Sequence, residues 1–101
     1  MLFGITLYPI GTDDSIARPV ADFIDDLEVA DLPHQVTAME TVVEGEWDQV
    51  MPVVRANYQR LLLKHDRVFL EIRVDEHRGV EGRLREAVEE VDRELGHEAA
   101  H

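Results

Sequence analysis

The chain has 101 residues, with 22 acidic against 10 basic ones and a formal net charge of -12. That acidic excess, without Lys/Arg clusters, argues against a nucleic-acid partner, because phosphate neutralisation needs such clusters. There is no cysteine, which excludes a disulfide framework, a thiolate nucleophile and a zinc–thiolate centre. The length fits one domain with a real but thin core. Lys64 is the single lysine. An acidic, lysine-poor surface fits a high-salt cytoplasm, and a GC-rich genome would produce the same lysine bias. The apolar first ten residues lack a basic leader and are too short to span a bilayer. They read as a strand, and a cytoplasmic protein with no membrane partner is expected.

Residues 2–8 are rich in β-branched and aromatic side chains and end at Pro9, which predicts a first strand. Alternation puts Phe3, Ile5 and Leu7 on one face and Leu2, Gly4, Thr6 and Tyr8 on the other. Residues 9–15 carry Pro, Gly and polar turn chemistry. Ile16, Val20, Phe23, Ile24 and Leu27 then form a helical stripe, with Ser15 as the expected N-cap and an end near Ala30. Residues 34–38 and 41–45 read as two strands joined by a two-residue turn at Met39-Glu40. That turn would pair Ala38 with Thr41, Val36 with Val43 and Gln35 with Glu44. Val36 and Val43 would then face the core, and Thr37, Val42, Gln35 and Glu44 the opposite side.

A second helix is predicted over residues 46–64, with Trp47, Val50, Met51, Val54, Tyr58, Leu61 and Leu62 as its apolar stripe. Pro52, just past the first turn, should strain its start. Residues 67–75 alternate strongly, with Val68, Leu70, Ile72 and Val74 inward and Phe69, Glu71 and Arg73 outward. A third helix is predicted over residues 80–95, closed by Gly96. The order β-α-β-β-α-β-α predicts an α+β fold, a ferredoxin-like βαββαβ sandwich with an additional C-terminal helix. One domain is expected over residues 1–95, with 96–101 a flexible tail. The sheet face away from the first two helices would carry Tyr8, Thr6, Thr37, Val42, Phe69 and Arg73. That is too apolar to be left wet, so another subunit or the third helix should cover it.

Three stretches resemble a known family. Tyr8-Pro9-Ile10-Gly11-Thr12, followed by Ser15, resembles the end of its first strand and the loop beyond. Residues 37–48, from Thr37 through Met39-Glu40-Thr41 and Glu44-Gly45-Glu46 to Trp47-Asp48, resemble its central motif, with Glu40 standing where glycine is common. Residues 74–79 are similar to its charged loop after the fourth strand. The family is the thiamine-binding proteins. The resemblance implies a ferredoxin-like fold and binding of thiamine or its hydroxymethylpyrimidine part as a ligand. It implies no catalysis and no cofactor. It also implies assembly into homodimers or homotetramers, which is expected to run through the sheet face or edge.

An aminopyrimidine needs a flat apolar slot with a few aimed donors and acceptors. Glu44 could accept from the exocyclic amine, or serve as a solvated strand residue or a helix N-terminal charge. Thr37 and Thr41 could donate hydroxyl bonds, or be there for β-propensity. Ser15 could bond the ligand or cap the first helix. Pro9 and Gly11 would shape the loop. Tyr8 and Trp47 could stack on a ring, with core or interface packing the alternative for Trp47. His97 and His101 have a metal-binding spacing but no third ligand in view, so no metal site is assigned. No Ser-His-Asp spacing, phosphate loop or dinucleotide fingerprint is present. Two classes of function follow. One is a non-enzymatic oligomeric binder of thiamine or its pyrimidine. The other is an oligomeric regulatory or scaffold module without a small-molecule ligand.

Overall fold

The apolar alternation at the N-terminus makes β1 (Leu2–Pro9) an inner strand, paired on both sides. The computed structural model describes residues 1–98. After β1 come α1 (Ala17–Val29), β2 (His34–Val36), β3 (Thr41–Glu44), α2 (Trp47–Leu62), β4 (Val68–Asp75) and α3 (Arg83–Leu95). The sheet order is β2-β3-β1-β4, with every pair antiparallel. This is the ferredoxin-like arrangement, with α3 as the addition.

The core lies between one sheet face and the pair α1, α2. Phe3, Ile5 and Val43 from the sheet meet Phe23 and Leu27 from α1, Val50 and Val54 from α2, and Leu32. Each such side chain contributes roughly 1.5–3 kcal/mol on full burial. Apart from Leu32, which follows α1, these are the alternating and helical-stripe positions read from the sequence. Asn57 is an exception, a polar residue only 3 % exposed on the buried side of α2. Its Nδ2 donates to Asp26 Oδ2 and to the Val53 carbonyl, both at 2.8 Å, and its Oδ1 accepts from Arg60 Nη1 at 3.2 Å. Arg60 also pairs with Asp26 at 3.2 Å, so α1 and α2 are joined by a satisfied polar bridge as well as by apolar packing. At the base of α2, a Cβ on Gly45 would lie 2.9 Å from Leu32 Cδ2 and 3.0 Å from Val50 Cγ2. Only glycine lets the end of β3 approach the helix so closely. Gln49 Oε1 accepts the Glu46 N–H at 2.9 Å, and this capping box starts α2.

Several boundaries differ from the sequence expectation. The β2–β3 register pairs Val36 with Thr41, Gln35 with Val42 and His34 with Val43. The turn therefore sits at Ala38-Met39, one residue earlier than expected. The reason is the Thr37 side chain: its Oγ1 accepts from the Met39 and Glu40 N–H groups at 3.2 and 3.1 Å and donates to the Glu40 carbonyl at 2.9 Å. The pairing sum changes by two, so each residue keeps its expected face. Val36 nevertheless lies at the edge and end of the sheet and is exposed rather than in the core. Ser15 does not occupy the N-cap position of α1, which falls to Ile16, but its Oγ accepts the Ala17 N–H at 3.1 Å. α2 runs unbroken through Pro52. α3 starts at Arg83 rather than Val80, because Gly82 in the left-handed region (φ 71°) ends the preceding turn. Gly96, also left-handed, closes α3 by donating to the Asp92 and Arg93 carbonyls. His101, and with it part of the expected tail, lies outside the described residues.

On the far sheet face α3 packs against β3, with Leu84 and Val88 half-buried and no residue fully buried. It covers only that side. Tyr8 and Phe69 are stacked on one another at 5.2 Å, away from α3, with Phe69 exposed.

Candidate functional site

The sheet is uneven at one end. β3 begins at Thr41, opposite Ile5, whereas β1 continues to Pro9 and is paired there by β4 alone. The missing length of β3 leaves a notch beside the end of β1. The start of α1 closes one side of the notch and the β2–β3 turn the other. The result is a mostly apolar cleft of about 110 Å³, lined by residues 5–8 of β1, Ile16, Pro19, Val20 and Phe23, and residues 36–41. A dry cavity of ~150 Å³ accommodates benzene, so this open cleft has room for about one six-membered ring.

Three contacts hold the turn that forms its wall. The Thr37 hydroxyl closes the turn on itself, as described above. Thr6 Oγ1 donates to the Met39 carbonyl at 3.4 Å, a long bond. The Glu40 carboxylate crosses the sheet face to pair with Arg73 on β4. That hydrogen bond, and the Glu40 charge, raise the Arg73 guanidinium above its ordinary pKa. The crossing passes over Gly4, where a Cβ would sit 2.7 Å from Glu40 Oε2. Glycine in mid-strand and the glutamate in the turn are thus two halves of one arrangement.

Of the residues singled out in the sequence, Tyr8, Thr37 and Thr41 line the cleft. Thr41 is 5 % exposed, and among the described residues its hydroxyl makes no hydrogen bond, so it is available to a ligand. Thr37 has its hydroxyl engaged in the turn and shapes the wall. The other five lie elsewhere. Pro9 ends β1, Gly11 is in the following loop at φ 83°, and Ser15 serves the start of α1. Glu44 lies about 10 Å along β3 from Thr41 at the strand rise. Its carboxylate accepts the Arg83 N–H at 2.9 Å and the Leu84 N–H at 3.3 Å, capping α3 from a neighbouring strand. Of the readings open to Glu44, this is the helix N-terminal charge. Trp47, at the Phe3 end of the core, is 51 % exposed with its ring 6.2 Å from Phe3. The apolar wall from α1 was legible only as a core stripe. The shifted turn is what makes it a wall of the cleft.

The family model for thiamine-binding protein matches residues 3–92. The chain belongs to that family. The UPF0045 protein Mb1933 of Mycobacterium bovis is 31 % identical over 96 residues, covering 94 % of each chain. The UPF0045 protein YqgV of Bacillus subtilis is 32 % identical over 97 residues, covering 90 % of this chain and 93 % of its own. Among solved structures, hypothetical protein MJ1052 of Methanocaldococcus jannaschii superposes with a TM-score of 0.73 at 24 % identity, over 94 % of both chains. A Thermotoga maritima protein, described as a candidate in thiamine biosynthesis or salvage, superposes with a TM-score of 0.72 at 21 % identity, over 89 % of this chain and 96 % of its own. At these identities the two structures establish the shared fold. No helix of the described residues is long and apolar enough to cross a membrane.

Proposed function

We propose that this protein binds thiamine or its hydroxymethylpyrimidine part, without catalysis, as a cytoplasmic homo-oligomer. Family membership supplies the ligand class. The observation that supports this reading is the cleft at the start of the central motif, which is ring-sized, mostly apolar and bordered by an uncommitted Thr41 hydroxyl. Its small volume suits the pyrimidine, leaving a thiazolium at the mouth near Tyr8 and in the negative field of a chain of charge -12. The ionisable side chains lining it are Tyr8 and Glu40, and Glu40 is paired with Arg73. That set suits binding better than proton transfer. Titration calorimetry with thiamine and with hydroxymethylpyrimidine tests this. Saturable heat with at least one of them is expected, weakened by Thr41→Val. Absence of heat with both at millimolar ligand refutes it.

A second reading is favoured by a different feature, the stack of half-buried Tyr8 on exposed Phe69, on the face that α3 leaves uncovered. In that reading the protein is an assembly module. Phe69→Asp would then dissociate the oligomer and abolish function, while Thr41→Val would leave function intact.

A further inference from the structure

The end of β1 has a backbone feature that the side chains do not announce. In an antiparallel strand, the N–H and C=O of one residue point to the same side, and sides alternate along the chain. The Ile10 N–H donates to the Arg67 carbonyl, toward β4, and the Met1 carbonyl accepts the Gly45 N–H, toward β3. Even-numbered residues of β1 therefore turn their peptide groups to β4, and odd-numbered ones to β3. Phe3 and Ile5 meet Val43 and Thr41 there. Leu7 has no strand opposite it. Its N–H and C=O open into the cleft it lines, and among the described residues no other backbone hydrogen bond takes them up.

The open edge offers one N–H, that of Leu7. Below it the β2–β3 turn closes the gap where Met39 meets Thr6. Above it stands Pro9, the next residue whose nitrogen points the same way, and proline has no N–H to offer. An added strand would need repeated donors along the edge, and here it finds a single N–H, with the Leu7 C=O beside it and the Pro9 C=O beyond. A planar ring that carries an acceptor beside a donor needs no more than that.

We propose that the free peptide edge of Leu7 reads the ligand. Its N–H would donate to a ring nitrogen, and its C=O would accept from the adjacent exocyclic amine of an amino-heterocycle in the cleft. This rests on the binding function proposed above and names the atoms that select within it. Leaving both peptide groups unpaired in an apolar cleft is costly, so a ligand that satisfies only one of them is disfavoured.

Backbone amide NMR on the full chain tests the proposal. In the ligand-free protein, the Leu7 amide exchanges at least about tenfold faster than the Thr6 and Tyr8 amides, which are paired to β4. Saturating hydroxymethylpyrimidine slows the Leu7 amide and shifts its proton downfield. The analogue lacking the exocyclic amine binds at least about tenfold more weakly by calorimetry. Three outcomes overturn the proposal while leaving the binding function standing. They are a Leu7 amide already as protected as its neighbours, binding without a change at Leu7, and equal affinity for the analogue. Absence of heat with both thiamine and hydroxymethylpyrimidine instead overturns the binding function itself.

Discussion

Replacing Glu44 by alanine should release α3 while leaving the α1–α2 core intact. The Glu44 carboxylate receives the first two N–H groups of α3, from Arg83 and Leu84, at 2.9 and 3.3 Å. Losing a cap costs ~0.5–2 kcal/mol, and a hydrogen bond to a charged group contributes ~1.5–3 kcal/mol. With the second bond long and the residue half-buried, about 2 kcal/mol is a reasonable total. That moves the ratio of docked to released helix by roughly thirtyfold. Little else holds α3 in place. None of its residues is buried, and the Arg83–Asp75 pair, at 2.7 Å, is exposed on the Asp75 side. A free 13-residue helix is marginal in water, so a released α3 should unfold. Amide exchange over residues 83–95 in Glu44→Ala, with far-UV circular dichroism, measures this. Exchange should accelerate across α3 and stay unchanged in the sheet. Glu44→Gln, which keeps one oxygen acceptor without the charge, should fall between. If α3 in Glu44→Ala exchanges at the rate of the parent, the capping argument is wrong.

The Arg83 hydrogen bond holds the Asp75 carboxyl below its usual pKa, against a smaller opposing effect of burial. A carboxylate depressed in the folded state adds stability that is present above its unfolded pKa and is lost as pH falls through the folded one. The Asp75 share of α3 release on acidification should therefore begin just below the ordinary carboxylate range, and Asp75→Asn should remove that share while leaving the Glu44 cap in place; an identical acid profile in the two proteins refutes it. Asn57→Ala should cost about 1–3 kcal/mol by removing one donor each from Asp26 and the Val53 carbonyl and one acceptor from Arg60. At roughly 4–8 °C per kcal/mol, thermal melting would show it, and an unchanged Tm refutes the bridge. Gly4→Ala should push Glu40 off Arg73 and loosen the turn, and adding Glu40→Gly should recover the stability lost. Urea midpoints for the two single variants and the double variant measure the coupling, and simple additivity refutes it.

How far the sequence could be read is clearest on β1 and at the turn. Strict alternation in residues 2–8 told which side chains enter the core, because the period of a strand is a property of the backbone. Phe3 and Ile5 are buried as that alternation requires. The helical stripes likewise named Phe23, Leu27, Val50 and Val54. Asn57 escaped because its burial depends on Asp26, 31 residues away. Alternation also placed Thr37, Val42 and Glu44 on the far face, and the two-residue change in pairing left that intact. It could not place the turn, since Thr37 competes for the backbone with its own hydroxyl, and a turn without an Asn-Gly signal has no local reason to choose Met39-Glu40 over Ala38-Met39.

The candidate site shows the same division. The sequence alone determined the composition of the central motif, the apolar stripe of α1 and the end of β1 at Pro9, and the motif was enough to recognise the family. Only the tertiary structure decided that Glu44 serves α3 while Thr41 borders the cleft. It also decided that Glu40 lies over Gly4 to reach Arg73, and that Leu7 keeps a free peptide edge. Each of these depends on which segments end opposite one another. Strand length on one side of β1 and helix placement on the other are settled by long-range packing, and a cleft formed where one strand stops short belongs to no single stretch of chain.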